Sequence, residues 1–250
     1  MSSRSLSRLA SGLLAAALVL PGCSTIQAAR GGPGQRVDPW ENWNRKVFAF
    51  NEGLDEKVLK PVATAYSNVV PQPIRQGVDN FVGVASDAWS AVNNTLQGKF
   101  APAVDSLFRV VANTLFGLFV FDVATDLGIE RQSEDFGQTL GRWGVGPGAY
   151  IVWPLFGAST LRDSVGLPLD RAASPALLIN DGTLALGITT LQLINTRANL
   201  LGASRVLDDI ALDKYTFVRD AYLQRRRSLV YDGDAPPLPE DDADDAPNPR

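Results

Sequence analysis

Apolar residues return every three or four positions along most of this 250-residue chain. That spacing restricts the fold more than any other feature, because only an α-helix brings such positions onto one face. In DPWENWNRKVFAFNEGL, Trp40, Trp43, Val47, Phe50 and Leu54 recur at intervals of 3, 4, 3 and 4, with Asp38 expected to cap the first turn. After breaks at Pro61 and VVPQP, a second series runs Ile74, Val78, Phe81, Ala85, Trp89, Val92 and Leu96, and Gly98 stands where a C-terminal cap belongs. Pro102 opens a third helix through Val104, Leu107, Phe108, Val111 and Leu115. Short helices are expected over 133–143, with Ser133 as N-cap, and after a capping Ser159, before punctuation at Pro168 and Pro175. Asp181 caps a long helix carrying Leu184, Ile188, Leu191, Ile194, Ala198 and Leu201, and a last helix covers Lys214 to Leu229. Period-two alternation is scarce, and AYIVWPLF, residues 149–156, is the one strand candidate. The expected body is mostly α, one domain without internal repeats.

Spacing alone leaves the surroundings of these faces open. Trp40, Trp43 and Phe50 make the first face aromatic, which suits either a packed core or a membrane interface. The run LFGLFVF, 115–121, is buried or interfacial, since crossing a bilayer as a helix takes about twenty apolar residues.

Several chemistries are excluded at once. The chain has no His and a single Cys, Cys23, and only five Lys, which removes histidine bases, Cys/His zinc sites and internal disulfides. The stretch GRWGVGPG, 141–148, has the glycine content of a phosphate loop. No convincing strand precedes it, no Lys-Ser/Thr follows it, and Pro147 stands where a cradling N–H is needed. Its glycines are expected instead to allow positive φ or close backbone approach. The adjacent pairs Arg162-Asp163 and Arg219-Asp220 are expected to serve ion pairs or caps. Asn51, Asn93, Asn94, Asn113 and Asp122 interrupt apolar stretches, where they either line an internal amphipathic passage or satisfy helix ends.

The N-terminus assigns the compartment. Arg4 and Arg8 precede a short apolar segment, Leu9 to Leu20, followed by Pro21, Gly22 and Cys23, the pattern of a bacterial lipoprotein signal in which Cys23 becomes the acylated first residue. Ser24 favours sorting to the outer membrane. Residues 232–250 carry seven acids and one Arg, so this tail is expected to be disordered. Removing Arg4 and Arg8 with the signal takes the formal charge from −4 to −6, which the tail alone accounts for; the body is left neutral, which gives no electrostatic reason to expect nucleic acid. The expected division is a signal peptide 1–22, a lipidated flexible tether 23–37, a helical domain 38–231 and an acidic Pro-rich tail 232–250.

DPWENWNRKVFAFN, PVATAYSNVVPQPIRQGVDNF, VNNTLQGK, NTLFGLFVFDVATDLG, EDFGQTLGRWGVGPGAYIVWPLFGASTLRD and DKYTFVRDAYLQRRR occur in that order. Together they closely resemble the MlaA (VacJ) family of outer-membrane lipoproteins across residues 38 to 232. Ala158 replaces a frequent Pro, and VASDAW replaces a more usual segment after Gly83. The resemblance implies a ring-shaped helical protein in the inner leaflet of the outer membrane. Its amphipathic central channel would pass mislocalised outer-leaflet phospholipids toward the periplasm. It also implies a porin trimer that holds the lipoprotein, and a soluble periplasmic carrier that takes lipid on to an ATP-driven inner-membrane complex. No cofactor, metal or catalytic residue is implied. Asn51, Asp122, Gly144, Gly146 and Gly148, polar or glycine residues within apolar motifs, are the candidates for channel wall or hinge. An esterase would need an activated nucleophile the chain does not evidently supply. The alternative is a structural envelope or porin-associated lipoprotein without transport activity.

Overall fold

The computed structural model describes residues 37–174 and 181–236. The expected signal peptide, Cys23, most of the expected tether, Pro175, Asn180 and the chain beyond 236 lie outside the described residues. The body is mostly helical: α1 (Glu41–Leu54), a π-helical turn (Asp55–Leu59), α2 (Lys60–Val69), α3 (Gln72–Leu96), α4 (Phe100–Leu115), α5 (Val123–Asp126) and α6 (Phe136–Arg142). An antiparallel hairpin follows, β1 (Tyr150–Trp153) with β2 (Gly157–Thr160), and then α7 (Leu161–Ala172), α8 (Gly182–Asn199), α9 (Leu201–Ile210) and α10 (Lys214–Val230).

The principal contacts close a circuit. From α1 the chain passes through the π turn to α2, which lies against α8; α8 lies against α3, α3 against α6, α6 against α7, and α7 against β2. The pairing of β2 with β1, and of β1 with α1, completes it, while α10 lies along α6 and β2. Pro61 does not interrupt the first long helix, because it sits at the start of α2, where its missing N–H is not needed. The π turn has a geometric use. Phe50, Leu54, Val58 and Val62 are all exposed at intervals of four; a regular α-helix would rotate such a stripe steadily, and the wider π turn takes up the rotation.

Several caps differ from expectation. Ser133 does not cap α6; Asp135 does, accepting from Gln138 N at 2.8 Å. Thr160, not Ser159, caps α7, and Pro168 lies inside that helix. Asp38 caps nothing: Trp40 holds the α1 N-cap position without a side-chain bond, and Asp38 is buried. The α4 helix begins at Phe100, ahead of Pro102. Asp181 caps α8 as expected, through Leu184 N at 2.9 Å.

The helical spacing is right, but the faces are turned round. On α4 the apolar positions Val104, Leu107, Phe108, Val111 and Leu115 are exposed, while Ala103, Ser106, Arg109, Ala112 and Asn113 are buried. On α3, Ile74, Phe81, Val92 and Leu96 are exposed, and Asp87, Ser90, Asn93 and Asn94 are buried. Nine of the eleven Phe and four of the five Trp are exposed, an arrangement that would be penalised across its whole surface in water. The buried apolar cluster is small: Val47, Tyr150, Val152 and Tyr215, with Phe48 and Tyr222 against it. No helix among the described residues is long and apolar enough to cross a membrane.

Candidate functional site

Since the interior is polar, its hydrogen bonds hold the elements in place. The hairpin shows how. Asn44 and Asn51 are seven residues apart, hence on one face of α1. Asn44 Nδ2 donates to Tyr150 O at 3.1 Å, and its Oδ1 accepts from Val152 N at 2.8 Å. Asn51 repeats the arrangement toward the hairpin tip: Nδ2 donates to Trp153 O at 3.0 Å and Oδ1 accepts from Leu155 N at 2.9 Å. An amide side chain carries a donor and an acceptor like a peptide group, so the two asparagines stand in for a neighbouring strand along the open edge of β1. Asn44 is completely buried and also donates to Asp38 Oδ1 at 2.8 Å, whereas the Asn51 bonds are solvent-exposed. Asp38 in turn accepts from the Tyr215 hydroxyl. Burial and this carboxylate push the Tyr215 phenol far up, so it remains a donor.

The glycine loop joins α6 to this hairpin. Gly144 has φ +90°, and the bonds Gly144 N to Gly141 O and Val145 N to Leu140 O, both 3.0 Å, close α6 in a Schellman motif. Gly148 has φ +69°, and a Cβ there would meet Leu161 Cβ at 3.0 Å. Gly146 departs from expectation: its φ is not positive and a Cβ there meets nothing within 4 Å. A phosphate cradle does not fit this loop. The amides of Gly144 and Val145 are already used, Pro147 has none, and Pro147 O and Ala149 O accept from Arg162 N and Leu161 N.

Asp122 sits beneath the LFGLFVF loop in a buried ionic cluster. Arg109, 1% exposed, donates through Nη2 to both Asp122 oxygens at 2.9 Å, through Nε to Asp87 at 3.2 Å, and through Nη1 to Thr125 and Ile129 O. Arg131 Nε reaches Asp87 at 3.0 Å. Burial acts to raise the Asp122 carboxyl, but the bonds from Arg109, Asn113 and Thr125 outweigh it and hold it at about 2. Asp122 also caps α5. The cluster braces the apolar loop above it, where Phe116, Leu118 and Phe121 are exposed and Leu118 and Phe119 take positive φ, a conformation that persists in bulky residues only where its surroundings enforce it.

Two of the other polar candidates, Asn113 and Asn93, also have structural work. Asn113 donates to Asp122 at 2.9 Å and accepts from Ala124 N at 3.0 Å, and Asn93 links Trp89 O to Thr139. Asn94 is buried with neither side-chain atom partnered among the described residues. Arg162 and Asp163 form the expected ion pair, and Asp163 further accepts from Tyr222 and Arg226, which also binds Asp135 bidentately. Burial opposes ionisation of Asp163, yet Arg226 and Arg162 outweigh it and keep its pKa below the usual range. Of the residues proposed from sequence, Asn51 and the three glycines lie together around the hairpin, and Asp122 belongs to a separate cluster. Asn44, Arg109 and the pairing of GAST with YIVW were not singled out. The seven-residue interval between Asn44 and Asn51 was the available signal for the first. Among the described residues no group of His, Cys, Asp or Glu is placed to hold a metal ion.

The model of the MlaA lipoprotein family matches residues 36–229. The intermembrane phospholipid transport system lipoprotein MlaA of Escherichia coli is 36% identical over 224 residues, covering 88% of this chain and 87% of that protein. Its namesake in Haemophilus influenzae is 33% identical, covering 88% and 89%. A structure solved in work on the maintenance of bacterial outer membrane lipid asymmetry superposes with a TM-score of 0.68 at 35% identity, over 77% of this chain and 98% of that one. By family model, sequence and fold together, the chain belongs to the MlaA lipoprotein family.

Proposed function

We propose that this protein is an outer-membrane lipoprotein of an intermembrane phospholipid transport system and acts to maintain outer-membrane lipid asymmetry. The observation that carries the reading is the reversed burial: phenylalanine and tryptophan face outward, while Arg109, Asn44, Asn93 and Asn113 are buried. A surface of this kind is stable against acyl chains, and a body in which no described helix is both long and apolar enough to span rests within one leaflet. Acylated Cys23 ties it to the inner leaflet, facing the periplasm.

The closed circuit of helices then encloses an amphipathic passage through which mislocalised phospholipids leave the outer leaflet intact. Their transfer to a soluble periplasmic carrier makes the movement directional, and a porin trimer is the partner that holds the lipoprotein in place. No bond is made or broken, so no catalytic group is required. The hairpin and its glycine loop are the parts suited to move, since Asn51 holds the tip through exposed bonds, and Asp122 serves as a fixed wall element. The test is deletion of the gene with measurement of outer-leaflet phospholipid. The level rises on deletion, the wild-type gene restores it, and a Gly146→Trp variant, at a position where an added Cβ meets nothing within 4 Å, restores abundance and lipidation but not the phospholipid level. An unchanged level on deletion leaves only the structural envelope role.

A further inference from the structure

Outside the hairpin, the N-terminus of α4, the segment 131–134 and the C-terminal end of α10 enclose a cleft of about 720 Å³, within the usual range for small-molecule sites. We propose that it binds the head group of a zwitterionic phospholipid, a phosphate diester carrying an amino alcohol. The proposal rests on the lipid-transport reading above and assigns that substrate a station on the protein.

The chemistry of the lining carries it. Lys99 Nζ bonds Glu134 Oε1 at 3.2 Å and Asp232 Oδ1 at 2.5 Å, and the lining is completed in charge by Arg131, so two cations face two carboxylates. A simple anion would meet the carboxylates and a simple cation would meet Lys99 and Arg131; a ligand bearing both signs is matched to both. Unused groups of both kinds are present. The α4 N-terminus has no side-chain cap, so the amides of Phe100 and Ala101 have no acceptor within the helix, and they lie at its positive end. Gln138 is 2% exposed and lines the cleft, with its Nε2 spent on Ser133 O and Asp135. Its Oε1 has no donor. Asp232 Oδ2 has no bond among the described residues. Phosphate is assigned to the α4 amides and Lys99, and the ammonium to Asp232 and Gln138.

A second, independent feature agrees. From Phe100, at the cleft, an exposed apolar row continues along α4 through Val104, Leu107, Val111 and Leu115. A lipid whose head group occupies the cleft has a path for its acyl chains along this row.

The experiment uses the full chain in detergent, titrated with a short-chain phosphatidylethanolamine, the phosphatidylglycerol of equal chain length, and inorganic phosphate. Phosphatidylethanolamine is expected to bind at least tenfold tighter than phosphatidylglycerol, and inorganic phosphate to compete with neither. Ser133→Trp and Ser228→Trp, at the exposed mouth of the cleft, are expected to weaken phosphatidylethanolamine at least tenfold without shifting the thermal melt. Asp232→Asn is expected to remove the preference between the two lipids. Unchanged binding in both tryptophan variants, equal affinity for the two lipids, or displacement by inorganic phosphate overturns the proposal. In each case the lipid-transport reading survives if wild-type protein still lowers outer-leaflet phospholipid in the deletion strain.

Discussion

Replacing Asn44 with Ala tests whether buried amides, not apolar contacts, hold the hairpin to α1. The side chain is completely buried and makes three bonds, to Tyr150 O, Val152 N and Asp38 Oδ1. Its removal strands three partners that are themselves buried. An orphaned buried polar group costs roughly 1–3 kcal/mol. Asp38 retains the Tyr215 hydroxyl and Arg219, so its share falls at the low end. A total of about 3–6 kcal/mol follows, against a typical domain stability of roughly 5–15 kcal/mol. Asn51→Ala breaks the same kind of pairing, but water can replace the exposed bonds, and the loss is about 1 kcal/mol. Denaturant titration in detergent, followed by tryptophan fluorescence, measures both. Equal effects from the two substitutions, or an Asn44→Ala loss under about 1 kcal/mol, would refute the claim that burial of the amide is what makes the clamp strong.

The two outer glycines of the loop should separate cleanly from the middle one. Gly148→Ala places a Cβ at positive φ and 3.0 Å from Leu161 Cβ, and a loss of about 1–3 kcal/mol is expected in the same titration. Gly146→Ala is expected to lie within about 0.5 kcal/mol of wild type. The Asp122 carboxyl, depressed from 3.8 to about 2, contributes stability that is present above its unfolded value and is lost as pH falls from about 4 through about 2. Asp122→Asn should be less stable at neutral pH and show a shallower stability loss over that window, read by acid titration of the melting temperature; an unchanged slope excludes Asp122 as the group responsible.

Much of the helix pattern could be read from spacing because helical period is a local property. Ile74 to Leu96 lies within the 25-residue α3, and the capping Asp181 was found because a cap needs only its own turn. The true caps lie a residue or two beyond Ser133 and Ser159, since Asp135 and Thr160 offer the same acceptor chemistry nearby. Strand β2 is not legible in the sequence because GAST has no apolar alternation of its own and is specified by its partner, Tyr150 facing Thr160 and Trp153 facing Gly157. Asn51 was singled out for its polarity in an apolar stretch, but its partners on the hairpin lie more than a hundred residues away.

By itself the sequence determined that the chain forms amphipathic helices, that it lacks histidine chemistry, and that its motifs run in the order of one family. Period, composition and motif order are all written along the chain. Only the tertiary structure decided which face of each helix turns inward. A 3.6-residue pattern is the same whether its apolar side meets a core or acyl chains, and the choice is made by what the opposite face finds. On α3 and α4 the opposite face finds Arg109 set between Asp87 and Asp122, a cluster assembled from three separate elements. Once those charges are satisfied inside, the phenylalanines remain outside.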